Sequence, residues 1–278
     1  MSLPRPSFLP LRTVLTALGD LFIPRTCLAC GRVLGARERD LCLFCRADLP
    51  LTHYWELSHN PMADRFNLLI QRDLEERLPA SPPGETCVGE GVPKEPYAWA
   101  AALFFYHSDA GYRKIPQALK YKGAVAAGRR FGRLLGMKLA GSPSFAGVDA
   151  VIPVPLHWRR RWKRGYNQAE VLAREIAGVL HARMFPHLLY RSRATRTQTR
   201  LSVGEKARNV SGAFRLRPHA RDVLTACRKE LPAGRVLHLL LVDDVFTTGA
   251  TLHACYRVLR NTFPSARISI ATLAVVGP

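Results

Sequence analysis

Two adjacent carboxylates, Asp243 and Asp244, close an apolar run and precede a threonine- and glycine-rich turn in residues 236–252, VLHLLLVDDVFTTGATL. Each residue type suits one task. Neighbouring carboxylates accept hydrogen bonds from two vicinal hydroxyls, the pair that a ribose presents. The turn Thr247, Thr248, Gly249, Ala250, Thr251 leads into a predicted helix. Free backbone N–H groups at such a helix start, with threonine hydroxyls beside them, cradle a phosphate monoester. Gly249 lets the backbone come close and adopt a turn closed to bulkier residues. Other nucleotide loops are excluded, because the chain has neither GxxxxGK[ST] nor a GxGxxG after a strand. The bland alternative is a buried strand that ends at an ordinary helix cap, with both acids solvated.

Cys27 and Cys30, then Cys42 and Cys45, form two C-x2-C pairs eleven residues apart. Two such knuckles supply the tetrahedral sulfur set of a structural Zn2+, and four thiolates leave no open coordination position for catalysis. Gly31 permits the first knuckle's turn. A redox disulfide or an iron–sulfur centre are the alternatives. Cys87, Cys227 and Cys255 stand alone and read as ordinary thiols.

Lys and Arg number 41 against 21 Asp and Glu, a net charge of +20, which points to polyanionic partners. The excess is concentrated: residues 156–217 hold fifteen Lys/Arg against Glu170, Glu175 and Glu205, a net of +12. Two segments carry it. In residues 151–168, VIPVPLHWRRRWKRGYNQ, a strand ends at Pro153, Val154 and Pro155, since neither proline donates to a ladder. Arg159, Arg160, Arg161, Lys163, Arg164 and Gly165 then offer cations and a flexible point. Residues 189–214 are polar, basic and without helical periodicity, and loops this long are functional or disordered. Thr197, Gln198, Arg200, Arg208 and Asn209 are its candidate contacts. Trp158, Trp162, Tyr166 and Tyr190 interleave with these cations and offer stacking surfaces for unpaired bases. Either tryptophan could instead pack against its own helix or the sheet, and both segments could be plain solvated basic loops.

The elements that must position these residues form three sections. Residues 1–50 hold a short helix (13–23) and the cysteine knuckle; residues 51–96 hold a helix over 60–78 and a Pro/Gly-rich stretch, read as a linker or hood; residues 97–278 are α/β. Strands are expected over 98–106, 149–154, 237–242 and 267–275, and helices over 112–122 (interrupted at Pro116), 124–140, 166–181 and 251–263. Alternating strands and helices predict a mostly parallel sheet flanked by helices. No apolar run reaches the ~20 residues of a membrane span. Residues 13–23 carry Asp20 and lack a small-x-small cleavage site, so they do not read as an export signal. The cysteines then belong in a reducing compartment, and a cytoplasmic location is expected.

VDDVFTTGAT resembles, position by position, the phosphoribosyl diphosphate (PRPP) motif of the type I phosphoribosyltransferases. That resemblance implies their fold, with Asp243 and Asp244 on the ribose hydroxyls. Val245, Phe246, Thr247, Thr248, Gly249, Ala250 and Thr251 take the 5′-phosphate, and Mg2+ bridges pyrophosphate and ribose oxygens. Pro153, Val154 and Pro155 with the following cations resemble the pyrophosphate loop. Residues 189–214 correspond to the flexible loop that closes over the reaction centre, with Arg200 joining the acids as a catalytic candidate. The order of the four-cysteine knuckle, LKYKG, PVPLHWRRRWKRGYNQA, TRTQTRLSVGEKARNVSGAF and LLLVDDVFTTGATL resembles the ComF family of competence proteins over nearly the whole chain. Its members are cytosolic proteins associated with incoming single-stranded DNA, and the resemblance implies that partner and other competence proteins. Residues 62–96 are longer than the family pattern, which leaves the region facing an acceptor base unassigned. Three functions follow: a PRPP-binding DNA-uptake protein, an active salvage phosphoribosyltransferase acting on a base or amine, or a non-catalytic sensor.

Overall fold

A computed structural model describes residues 24–77, 95–106, 111–121, 123–193 and 212–277. Five strands make the central sheet: β1 (Ala100–Tyr106), β2 (Ala150–Pro153), β3 (Arg183–Met184), β6 (His238–Phe246) and β7 (Arg267–Val276). Their order is β1-β7-β6-β2-β3, and every pair is parallel. The central strands are near-continuous apolar runs, as a sheet covered on both faces requires, and eight of the ten residues of β7 are buried. Beyond the sheet, β4 (Leu189–Arg191) and β5 (Phe214–Leu216) form an antiparallel ribbon that brackets the long basic segment.

Eight α-helices surround these strands among the described residues: α1 (Leu43–Ala47), α2 (Pro61–Glu75), α3 (Lys114–Tyr121), α4 (Val125–Ala140), α5 (Trp158–Arg164), α6 (Gln168–Leu180), α7 (Ala220–Lys229) and α8 (Ala250–Thr262). The pairing of α4 with α6 depends on small residues: a Cβ on Gly132 would lie 3.0 Å from the Leu172 carbonyl oxygen, and one on Gly136 3.0 Å from Val179 Cβ. α2 starts at an Asn60 cap that accepts from the Ala63 N–H, has Pro61 at its first position, and buries Met62, Ala63, Phe66 and Ile70. Phe66 meets Phe246 and Tyr256 edge-on, so α2 packs against the end of β6 and against α8.

Three local expectations change. Pro116 does not interrupt α3, because it sits in the first turn, where its missing N–H would have had no helical partner. β6 does not stop at Val242 but runs through both acids to Phe246, paired with β7 to Val275. The cationic stretch after Pro155 is not a loop but helix α5, capped by His157 and ended by Gly165 at φ 79°. No described helix is long and apolar enough to cross a membrane. The short helix expected over 13–23 lies outside the described residues.

Candidate functional site

β6 and β2 are parallel neighbours, so their C-terminal ends open on the same crevice, where open α/β sheets bind ligands. The crevice is a cleft of about 640 Å³ with Asp243, Asp244, Val245, Thr247 and Thr251 on one side and Val154 and Pro155 on another. Lys120, Arg160, Lys163, Arg164 and Arg191 complete its walls, drawn from α3, α5 and β4. Of the cations expected beside the prolines, Arg160, Lys163 and Arg164 line the cleft. Arg159 stacks over Trp158, and Arg161 pairs with Glu170 at 3.4 Å.

The two acids occupy different environments. Asp244 is buried and its Oδ2 lies 2.7 Å from Lys120 Nζ. Asp243 Oδ1 accepts the Asp244 backbone N–H at 2.8 Å. Burial, reinforced by the Asp244 charge, pushes the Asp243 carboxyl well above the usual carboxylate range. Burial is the largest single influence and works against a charged Lys120, but the charge and hydrogen bond of Asp244 and the charge of Asp243 together outweigh it and raise the ammonium's pKa.

The turn after β6 is shaped by Gly249, whose φ of 78° is a left-handed conformation at the cap of α8. A Cβ there would stand 2.9 Å from the Phe246 ring and 3.0 Å from Leu69 Cδ1. Phe246 itself is fully buried against α2, so any part it has in holding a phosphate belongs to its backbone. Thr248 and Gly249 form the turn after the cleft-lining Thr247, and Ala250 opens α8 just before the cleft-lining Thr251. Pro153 is the last residue of β2, paired with Val242, and Val154 and Pro155 carry the chain into the cleft wall.

The RGYNQ string (164–168) assembles this wall. Asn167 donates from Nδ2 to the Val154 carbonyl at 3.0 Å and caps α6 through Oδ1. Tyr166 donates its hydroxyl to the Leu119 carbonyl and so pins the end of α3 beside the cleft. That bond sets the half-buried Tyr166 apart from the other aromatics singled out as stacking surfaces. Tyr190 is also half-buried, with Arg217 over its ring. Trp158 and Trp162 are open, at 65% and 87% exposed, and Tyr121 is 72% exposed with Arg164 over its ring. Thr197, Gln198, Arg200, Arg208 and Asn209 lie outside the described residues, as does Cys87. Sequence reasoning missed Lys120 and Arg191 as cleft residues; LKYKG contains the lysine, but nothing local links it to an acid 124 positions on.

At the other end of the chain, the sulfurs of Cys27, Cys30, Cys42 and Cys45 all lie within 4.8 Å of one another. Thiolates about 2.3 Å from a central Zn2+ stand about 3.8 Å apart in a tetrahedron, and the Cys30 and Cys42 sulfurs are 3.8 Å apart. This donor set fits a structural metal ion. The Cys45 backbone N–H and the Arg32 guanidinium pull the Cys42 thiol down to about 6. Described cysteines outside the cluster are buried: Cys227 and Cys255. The knuckle is docked on the α/β body: Asp40 pairs with Arg130 of α4, and Tyr112 donates to Asp48 at 2.8 Å.

No family model matches the chain. It is 32% identical over 226 residues to the DNA utilization protein YhgH of Escherichia coli O6:H1, spanning 80% of this chain and 91% of that protein. Competence protein F of Haemophilus influenzae is 30% identical over 176 residues, 62% of this chain and 72% of its own length. Competence protein ComFC of Bacillus subtilis is 29% identical over 123 residues, 44% of this chain and 43% of that one. A crystal structure from Thermus thermophilus matches 53% of this chain and 83% of its own at 17% identity, with a TM-score of 0.28.

Proposed function

The chain belongs to the ComF family, and from that premise we propose that it acts in DNA uptake during natural transformation, binding PRPP in the cleft and handling incoming single-stranded DNA in the cytosol. The observation that carries the ligand reading is the acid pair at the base of a cleft walled by Lys120, Arg160, Lys163, Arg164 and Arg191. Acids for a vicinal diol inside a ring of cations suit a sugar bearing several phosphates better than a neutral sugar or a plain anion. Asp243 and Asp244 hold the ribose hydroxyls, the turn from Val245 to Thr251 takes the 5′-phosphate, and the α5 cations with Val154 and Pro155 face the diphosphate. The carboxylates are hard oxygen donors that suit Mg2+, which neutralises diphosphate charge when bound. The four cysteines hold a structural Zn2+, and residues 1–50, 51–96 and 97–278 are the knuckle, the linker or hood, and the ligand-binding domain.

Single-stranded DNA engages the α5 surface, where Trp158 and Trp162 stand exposed among Arg159, Arg160, Arg161 and Lys163. Other competence proteins are the expected partners. Calorimetry with PRPP and Mg2+ tests the core of this reading: wild type binds, and the Asp243→Ala/Asp244→Ala double variant does not. Unaltered binding by that variant refutes the site.

The second reading is an active salvage phosphoribosyltransferase that transfers ribose 5-phosphate to a base or amine. The uninterrupted acid pair and turn favour it, since a chain that only binds DNA has no use for either. Pyrophosphate release from PRPP and Mg2+ with a panel of bases separates the enzyme from the binder.

A further inference from the structure

Asp244 is already engaged by a cation of its own chain. Lys120 Nζ lies 2.7 Å from Asp244 Oδ2, and the two side chains keep only 27% and 11% of their exposure. A pair this sheltered is screened far less than a surface ion pair. The lysine is delivered by the fold and not by chance: α3 buries Ile115 and Leu119, and the Tyr166 hydroxyl pins the Leu119 carbonyl immediately before it. Lys120 also lines the cleft, so its flexible stem can swing from the carboxylate toward a ligand's oxygens without α3 moving.

Resting on the reading of the cleft as a PRPP site, we propose that Lys120 occupies the place on Asp244 that a divalent cation would take, so that the acid pair accepts Mg2+ only together with an anionic ligand. A lone dication at Asp244 meets an ammonium in contact with the same carboxylate, and the repulsion is strong in a cleft partly shielded from water. A diphosphate changes the balance because its oxygens satisfy the ammonium and the metal at once. Lys120 is thus a positioning residue that sets the order of binding. It keeps the empty site free of metal and passes to the phosphate when ligand and metal arrive together.

The test is Mn2+ titration of the zinc-loaded full chain, with free Mn2+ followed by electron paramagnetic resonance and no ligand added. Wild type binds Mn2+ weakly; Lys120→Met binds it at least tenfold more tightly, and the gain disappears in Lys120→Met/Asp244→Asn. Arg164→Met removes a charge from the same wall without touching Asp244 and gives a much smaller gain. An affinity of Lys120→Met within twofold of wild type overturns the proposal. So does a gain that survives Asp244→Asn or is matched by Arg164→Met. Lys120→Gln is the second variant should Lys120→Met not fold. Calorimetry with PRPP on the same proteins separates the two readings. PRPP binding without the Mn2+ change sinks the lysine's role alone, whereas the Mn2+ change without PRPP binding supports that role and sinks the ligand assignment.

Discussion

Arg65 of α2 donates from Nη2 to the Thr247 carbonyl oxygen at 2.8 Å, and its guanidinium lies 5.6 Å over the Phe246 ring. α2 therefore holds the turn that follows the acids. A charged donor on a carbonyl is worth about 1 kcal/mol at an exposed site, so Arg65→Ala should weaken ribose 5-phosphate binding by roughly three- to tenfold. Calorimetry reads the loss, and an unchanged affinity would remove α2 from the site.

Gly249→Ala should cost more. The alanine would have to keep a left-handed φ, and its Cβ would meet Phe246 and Leu69 at 2.9 Å and 3.0 Å. Relieving that moves either the turn or the Phe66–Phe246 contact. A stability loss of about 1–3 kcal/mol is expected from urea unfolding, with ribose 5-phosphate binding lost. A variant as stable as wild type with full affinity would contradict the turn geometry.

His238 should make the protein acid-sensitive. It is 2% exposed, and its Nε2 meets Ser269 Oγ at 2.8 Å. Burial, with Arg267 and Arg235 adding repulsion, pulls its pKa down to about 4. Between that value and the unfolded pKa of about 6.5, the unfolded chain binds the proton and the folded one does not. Stability is therefore complete above the upper limit and falls as pH drops through the window, by up to about 3 kcal/mol. Urea unfolding at pH 7.5 and 4.5 should show a smaller loss for His238→Gln than for wild type; equal losses would exclude His238 as the cause.

Metal removal should uncouple the knuckle. Native mass spectrometry is expected to find one ion per chain, lost on chelation or in Cys42→Ser. The melting temperature should fall with it, because the Asp40–Arg130 and Asp48–Tyr112 contacts depend on the knuckle's shape. A metal-free preparation that melts like wild type would refute the structural role.

Trp158→Ala and Trp162→Ala should each weaken single-stranded DNA binding, since base stacking is worth about 1–3 kcal/mol. The charges of α5 are untouched, so the steep salt dependence should keep its slope. Fluorescence anisotropy at several salt concentrations measures both, and affinities equal to wild type would move the DNA path away from α5.

What the sequence determined is local. An apolar run, two acids and TTGAT specify a strand, a turn and a helix start within seventeen residues, 236–252, because backbone preferences act over a few neighbours. Two C-x2-C pairs specify, for the same reason, a cluster of four sulfurs that could hold a metal ion. Tertiary structure decided how far β6 extends, because its ladder with β7 continues past both acids to the Phe246–Val275 pair. It also decided that a run of cations is a helix presenting both tryptophans outward, and that Tyr166 holds α3 in place. Above all it separated two acids that are adjacent in the sequence. Lys120 reaches Asp244 because sheet order and the α3 clamp bring a distant residue to one wall of the cleft, and side chains so far apart along the chain meet only through packing.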